Sequence, residues 1–182
     1  MPCDPLDLAR KAAAIRLLLF DVDGVLTDGR ILIHADGAES KQFSIRDGTA
    51  VVWAQRAGLA VGLLSGRHSA ATTVRAAQLG IAIVRQVAAD KLQMLQELLG
   101  QERLQEHEVA FMGDDLLDLP VLLRAGLSAA PADAAPEVIA RVDWVSGKAG
   151  GDGAARELVE MLLRAQGKWE ALLQGYLPEG VR

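Results

Sequence analysis

The chain alternates short apolar runs with longer stretches in which apolar residues return every three or four positions. Ile15–Phe20, Leu59–Leu64, Ile81–Val84, Val109–Met112, Leu127–Ala130 and Val142–Val145 have strand length and predict buried strands. Between them, helices are predicted over residues 48–57, stopped by Gly58, and 69–79, stopped by Gly80. A further helix over 89–99 sets Leu92, Leu95, Leu98 and Leu99 on one face, and shorter ones are predicted over 116–124, 136–141 and 153–166. Ile31–His34 and Lys41–Ile45 flank Ala35-Asp36-Gly37-Ala38-Glu39, which predicts a β-hairpin. The stretch after Gln166, with Gly167, Gly175, Pro178 and Gly180, reads as a loosely structured tail over about 167–182.

Strand–helix repetition with continuous rather than alternating apolar strands predicts an α/β fold built on a parallel, doubly wound sheet. In such sheets ligands sit beyond the carboxyl ends of the strands. The polar groups that follow the apolar runs should therefore share one edge: Asp21-Val22-Asp23-Gly24, Ser65-Gly66-Arg67 and Gly113-Asp114-Asp115.

Composition narrows this picture. The 182 residues suit one domain, and they are 51% hydrophobic but only 4% aromatic, so the core must be aliphatic. A net charge of −5 gives none of the basic excess of a nucleic-acid binder. The lone Cys3 excludes an intrachain disulfide, and three scattered histidines have no zinc-ligand spacing. The apolar runs are too short to span a bilayer, and no signal-peptide layout opens the chain, which predicts a cytoplasmic location.

Carboxylates meeting from two strand ends, without His or Cys, point to a hard cation, with Mg2+ the best match. Asp21 and Asp23, at i and i+2 after a strand, would face one site, and Asp114, Asp115 and Asp118 add a second acidic group. Such a cation commonly completes its shell with water and substrate phosphate. Ser65 and loop amides could donate to that phosphate, and Lys91 at a helix start could offset its charge.

Four elements in order resemble the haloacid-dehalogenase-like phosphatase superfamily: Asp21, Asp23, Gly24 and Thr27 as Asp-x-Asp-Gly-x-x-Thr; Ser65 closing a strand; Lys91; and Gly113-Asp114-Asp115 with Asp118. The resemblance implies that Asp21 attacks phosphorus, that Asp23 protonates the leaving alcohol and then activates water, and that Asp21, the Asp23 carbonyl and Asp114 bind Mg2+. Only a hairpin over about 29–45 and one helix fit between Asp21 and Ser65, and one helix and one strand between Ser65 and Lys91. Superfamily members with large caps insert them in those gaps, so this chain is expected to be capless.

Phe43-Ser44-Ile45-Arg46-Asp47-Gly48, Ala132-Asp133-Ala134 and Ala149-Gly150-Gly151-Asp152-Gly153-Ala154-Ala155-Arg156-Glu157, together with the motifs above, resemble the 3-deoxy-D-manno-octulosonate 8-phosphate phosphatase family. This implies a phosphorylated sugar acid as substrate, a role in lipopolysaccharide precursor synthesis, and a homotetramer whose hairpins meet and whose C-terminal segments close neighbouring sites. It also implies a sugar-acid site formed by Ser44, Arg46, Asp47 and Gly48, positive charge from Arg67 and Arg75, and phosphate contacts from Asp23, Lys91 and Asp118. The chain carries Asp152 where that family often has arginine. Two alternatives stay open at this point: a phosphatase of another acid sugar phosphate, such as a nine-carbon keto-deoxy acid, and a non-catalytic domain that keeps the fold.

Overall fold

The computed structural model describes residues 4–86 and 90–177. Cys3, Ala89 and the tail beyond Leu177 lie outside the described residues. In chain order the elements are α1 (Pro5–Ala14), β1 (Leu17–Phe20), β2 (Leu32–Ile33), β3 (Glu39–Ser40), α2 (Ile45–Arg56), β4 (Ala60–Ser65), α3 (Ala70–Gln78), β5 (Ile83–Gln86) and α4 (Lys91–Glu102). They continue with β6 (Val109–Met112), α5 (Leu119–Leu122), β7 (Leu127–Ala130), α6 (Pro136–Ile139), β8 (Trp144–Val145), α7 (Ala154–Ala165) and α8 (Trp169–Gln174).

The main sheet is parallel throughout, in the order β5-β4-β1-β6-β7-β8. From β1 the chain moves out through β4 and β5, then returns to the other side of β1 with β6. The strand order therefore reverses at β1, which puts the loop after β1 in the crevice where ligands bind in such sheets. The fold is the expected α/β doubly wound one, without a cap and with β2–β3 as a small antiparallel hairpin.

β1 shows why its run is continuous rather than alternating. Leu18 and Phe20 pack into the core under α2 and α7, while Leu17 and Leu19 pack into the opposite core under α4 and α5. All four are fully buried, and each contributes about 1.5–3 kcal/mol by leaving water.

Several boundaries differ from expectation. The second hairpin arm is Glu39–Ser40, not Lys41–Ile45, because Ser44 caps α2 through the Asp47 amide and the helix starts at Ile45. The segment after Gln166 is not loosely structured as far as Leu177. It forms α8 and docks through aromatic contacts: Trp53 packs edge-on to Trp169 and Tyr176, and its indole N–H donates to the Tyr176 hydroxyl at 2.7 Å. α1 was not anticipated; Asp4 caps it by accepting from the Leu6 amide.

Candidate active site

Asp21 follows β1 directly, and its amide donates to the Met112 carbonyl of β6 at 2.9 Å. This extends the ladder by one rung and fixes where the carboxylate emerges. The loop beyond it closes on itself. The Val22 carbonyl accepts from the amides of Leu26 and Thr27, and the buried Thr27 hydroxyl donates back to it. Thr27 Oγ1 also accepts from the Gly24 and Gly29 amides. Gly24 has φ +90°, and a Cβ there would lie 2.0 Å from an Asp114 oxygen. Glycine is thus required both by the turn and by the carboxylate packed against it.

Lys91 opens α4, which Asp90 caps through the Leu92 amide. Its ammonium donates to Asp21 Oδ1 at 2.9 Å and to Asp118 Oδ1 at 2.6 Å. The other Asp118 oxygen accepts from the amides of Asp114 and Asp115 at 3.0 and 3.3 Å. Asp118 is 1% exposed, so its role is to hold the lysine and shape the loop after β6. Carboxylate oxygens of Asp21, Asp114 and Asp118 all lie within 4.8 Å of one another.

This crowding has an electrostatic consequence. Burial, and then the charge of Asp118, push Asp21 up to about 6 despite the pull of Lys91. Burial, followed by the charges of Asp21, Asp118 and Asp115, pushes Asp114 up to about 8. Burial works against the Lys91 ammonium, but the charges of Asp21 and Asp118 outweigh it and raise its pKa, so it is a fixed cation. One lysine does not balance this acidic group, and a divalent cation fits the surplus of hard oxygen donors. Both Asp118 oxygens and one of Asp21 already accept hydrogen bonds, so Asp114 and the other Asp21 oxygen are the readiest donors to a cation.

Ser65 ends β4, is buried, and exchanges hydrogen bonds with the main chain of Arg67. Asp21, Asp23, Ser65, Arg67, Lys91, Asp114 and Asp118 line one open cleft of about 330 Å³, in the size range of small-molecule sites. The other expected substrate residues are not in it. Asp47 is 1% exposed and accepts from the Gly153 and Arg156 amides at the start of α7. Gly48 lies against Arg75, whose guanidinium donates to the Ser44 carbonyl and stacks over Phe43. Arg46 is exposed and lines a separate cleft with Asp152 and Arg156. Gly150 and Gly151 pack beneath the loop after β1, and the Gly151 amide donates to the Val25 carbonyl.

Residues 68–158 match the haloacid dehalogenase-like hydrolase family. The chain is 44% identical over 162 residues to the 3-deoxy-D-manno-octulosonate 8-phosphate phosphatase of Escherichia coli (strain K12), covering 89% of this chain and 86% of that one. It belongs to the 3-deoxy-D-manno-octulosonate 8-phosphate phosphatase family. Two solved structures agree. A probable yrbI family phosphatase from Pseudomonas syringae pv. phaseolica 1448a superposes with a TM-score of 0.93 at 43% identity, covering 95% of this chain and 98% of that one. The family phosphatase from Moraxella catarrhalis, in complex with magnesium, phosphate and KDO, gives a TM-score of 0.93 at 33% identity, covering 96% and 100%.

Two residues that pair with cleft side chains were not singled out from sequence. Glu39 forms an ion pair with Arg67, and Lys41 pairs with Asp23. Both stand on the second arm of the hairpin, where a charged residue ordinarily reads as solvated, and only the folded chain shows where they point.

Proposed function

We propose that the chain is a magnesium-dependent phosphatase that hydrolyses 3-deoxy-D-manno-octulosonate 8-phosphate to the free sugar acid and phosphate, in lipopolysaccharide precursor synthesis. The observation that carries the chemistry is the Asp21 carboxylate, held by Lys91 beside Asp114 at the point where the strand order reverses. The substrate assignment rests on family membership.

Asp21 attacks phosphorus and forms a phospho-aspartyl enzyme, displacing the sugar alcohol. Asp23 gives its proton to the departing oxygen, then takes one from the water that cleaves the acyl phosphate. Ser65, Lys91 and loop amides donate to the phosphoryl oxygens, and Asp118 keeps Lys91 in place. Asp21, the Asp23 carbonyl and Asp114 would hold Mg2+, which supplies positive charge against the repulsion between carboxylate and phosphate. Arg67, at the cleft rim, faces the anionic sugar acid.

The chain works as a single domain in a cytoplasmic homotetramer. The apolar hairpin residues Leu32 and Ile33 are 61% and 62% exposed, and Ile45 is 80% exposed beside Arg46, which favours a partner covering this face. Within the tetramer, the exposed Arg46 faces a neighbour's substrate, on a helix start that Ser44, Asp47, Gly48 and Arg75 hold in place.

The test is phosphate release from a panel of phosphorylated sugar acids with eight and nine carbons, with and without Mg2+. The eight-carbon acid should be preferred and Mg2+ required. Equal rates across the panel would overturn the narrow substrate claim, and turnover surviving in Asp21→Asn would overturn the nucleophile.

A further inference from the structure

Lys41 lies one residue beyond β3, on an arm whose neighbouring side chains face solvent, yet its own side chain is completely buried. Its ammonium lies 2.6 Å from Asp23 Oδ1 and 2.8 Å from Asp23 Oδ2. Among the described residues no other side chain or amide hydrogen-bonds the Asp23 carboxylate. A buried lysine has given up both water and rotamer freedom, so its placement is costly unless a partner holds it. Here the partner is the carboxylate that must handle the proton.

The contact is to both oxygens, which matters. Held at both oxygens by one ammonium, the carboxylate head stays at a fixed distance from Lys41, which limits its swing about the Cα–Cβ bond. Asp23 remains 23% exposed, and its open side lines the cleft. The arm is itself anchored, because Glu39, two residues earlier, pairs with Arg67 on the loop after β4. The short segment Glu39-Ser40-Lys41 thus ties the loop after β1 to the loop after β4. Two lysines divide the site: Lys91 holds the nucleophile, and Lys41 holds the acid–base group.

We propose that Lys41 is a positioning residue for Asp23, fixing its carboxylate where it meets the oxygen that leaves and the water that enters. This rests on the phosphatase reading given above. Proton transfer requires a heavy-atom approach of about 2.6–3.2 Å, and a displacement of about 1 Å can cost on the order of 10²-fold. Loss of Lys41 should therefore slow the steps that need Asp23 and spare those that do not.

The experiment compares first-turnover rates of the Mg2+-loaded full chain on 3-deoxy-D-manno-octulosonate 8-phosphate, whose alkoxide needs a proton to leave, and on p-nitrophenyl phosphate, whose phenolate does not. Lys41→Met should lose about 10²-fold on the sugar phosphate and less than about 5-fold on the aryl phosphate, with Asp23→Ala showing the same split more strongly. Lys41→Gln, which keeps a donor, should fall between wild type and Lys41→Met. The aryl phosphate burst also reports that each variant is folded and takes up phosphate. Equal losses on both substrates, or no loss on either, would overturn the proposal. So would an Asp23→Ala enzyme without the split. If wild type ignores the sugar acid phosphate, the substrate reading fails instead, and the split is read on whichever alkyl phosphate wild type hydrolyses.

Discussion

The Lys91 ammonium lies 2.9 Å from an oxygen of Asp21, and only 8% of the lysine side chain is exposed. That pair sets the polarity of the whole site. Lys91 is also held by Asp118, so one cation serves two buried carboxylates, and its loss leaves both unbalanced. Breaking a buried pair by removing one partner costs about 3–5 kcal/mol. Lys91→Met should therefore unfold at lower urea concentration, by an amount in that range, and should lose about 10²–10³-fold in kcat because a donor to the phosphoryl group is gone. Urea melts and phosphate-release assays on the same preparation check both effects.

Raised carboxylate pKa values make the cation-free protein sensitive to pH in a defined direction. Asp114 moves from an ordinary 3.8 to about 8, with burial as the main cause and neighbouring carboxylates next. Between those values the folded chain holds a proton that the unfolded chain has released, so stability falls as pH rises through this window. Asp21 acts the same way from 3.8 up to about 6. A divalent cation binds the deprotonated carboxylates and reverses the penalty. Without metal, Tm should fall from pH 6 to pH 8 relative to Asp114→Asn. The rise in Tm on adding Mg2+ should be larger at pH 8 than at pH 6. Thermal melts at fixed Mg2+ concentration measure both.

Much of this was legible in the sequence, and the part that was not has a physical reason. β6 and β7 match their expected runs residue for residue because parallel strands are buried on both faces; even Ser128 of β7 is buried, its hydroxyl donating to Asp143. The cleft residues Asp21, Ser65, Lys91 and Asp114 were legible because each follows or faces a strand end, and the topology does the rest. The hairpin register was not. Leu32 and Ile33 are exposed, so no burial pattern marks the pairing, and Ser44 could be read as strand until its cap to Asp47 is seen. Lys41 was invisible for a related reason: nothing local to a surface arm says that one side chain turns inward. α8 carries glycines on both sides, and its order comes from Trp53, more than a hundred residues earlier.

Gly150 is a constraint that only the fold explains. A Cβ there would lie 1.8 Å from the Gly24 carbonyl oxygen and 3.0 Å from that of Thr27. Gly150→Ala must push the loop after β1 away from the segment beneath it, and that loop carries both Asp21 and Asp23. Overpacking of this kind costs about 1–3 kcal/mol, and a shift of about 1 Å at the nucleophile can cost on the order of 10²-fold in rate. Gly150→Ala should lower Tm and depress kcat together. Full activity in a stable Gly150→Ala protein would show that the loop can shift without moving its carboxylates.

Asp47 separates a structural role from a substrate role. Its buried carboxylate accepts from the Gly153 amide at 3.1 Å and from the Arg156 amide at 2.9 Å, joining the first turn of α2 to that of α7. Helix N-termini favour such an acceptor, and these amides would otherwise be orphaned in the interior. Removing the cap and leaving its donors unmet should cost about 2–3 kcal/mol in Asp47→Ala. Burial raises the Asp47 pKa, against the pull of the two amides, so the charge itself is costly there. Asn keeps an acceptor for one amide but turns its NH2 toward the other, so Asp47→Asn should still lose at least about 1 kcal/mol, the cost of one unmet buried donor. If Asp47 serves the helix start, kcat and KM of Asp47→Asn stay within about threefold of wild type. A KM raised on the order of tenfold at unchanged Tm would instead put this carboxylate on the substrate, reached through a neighbouring subunit.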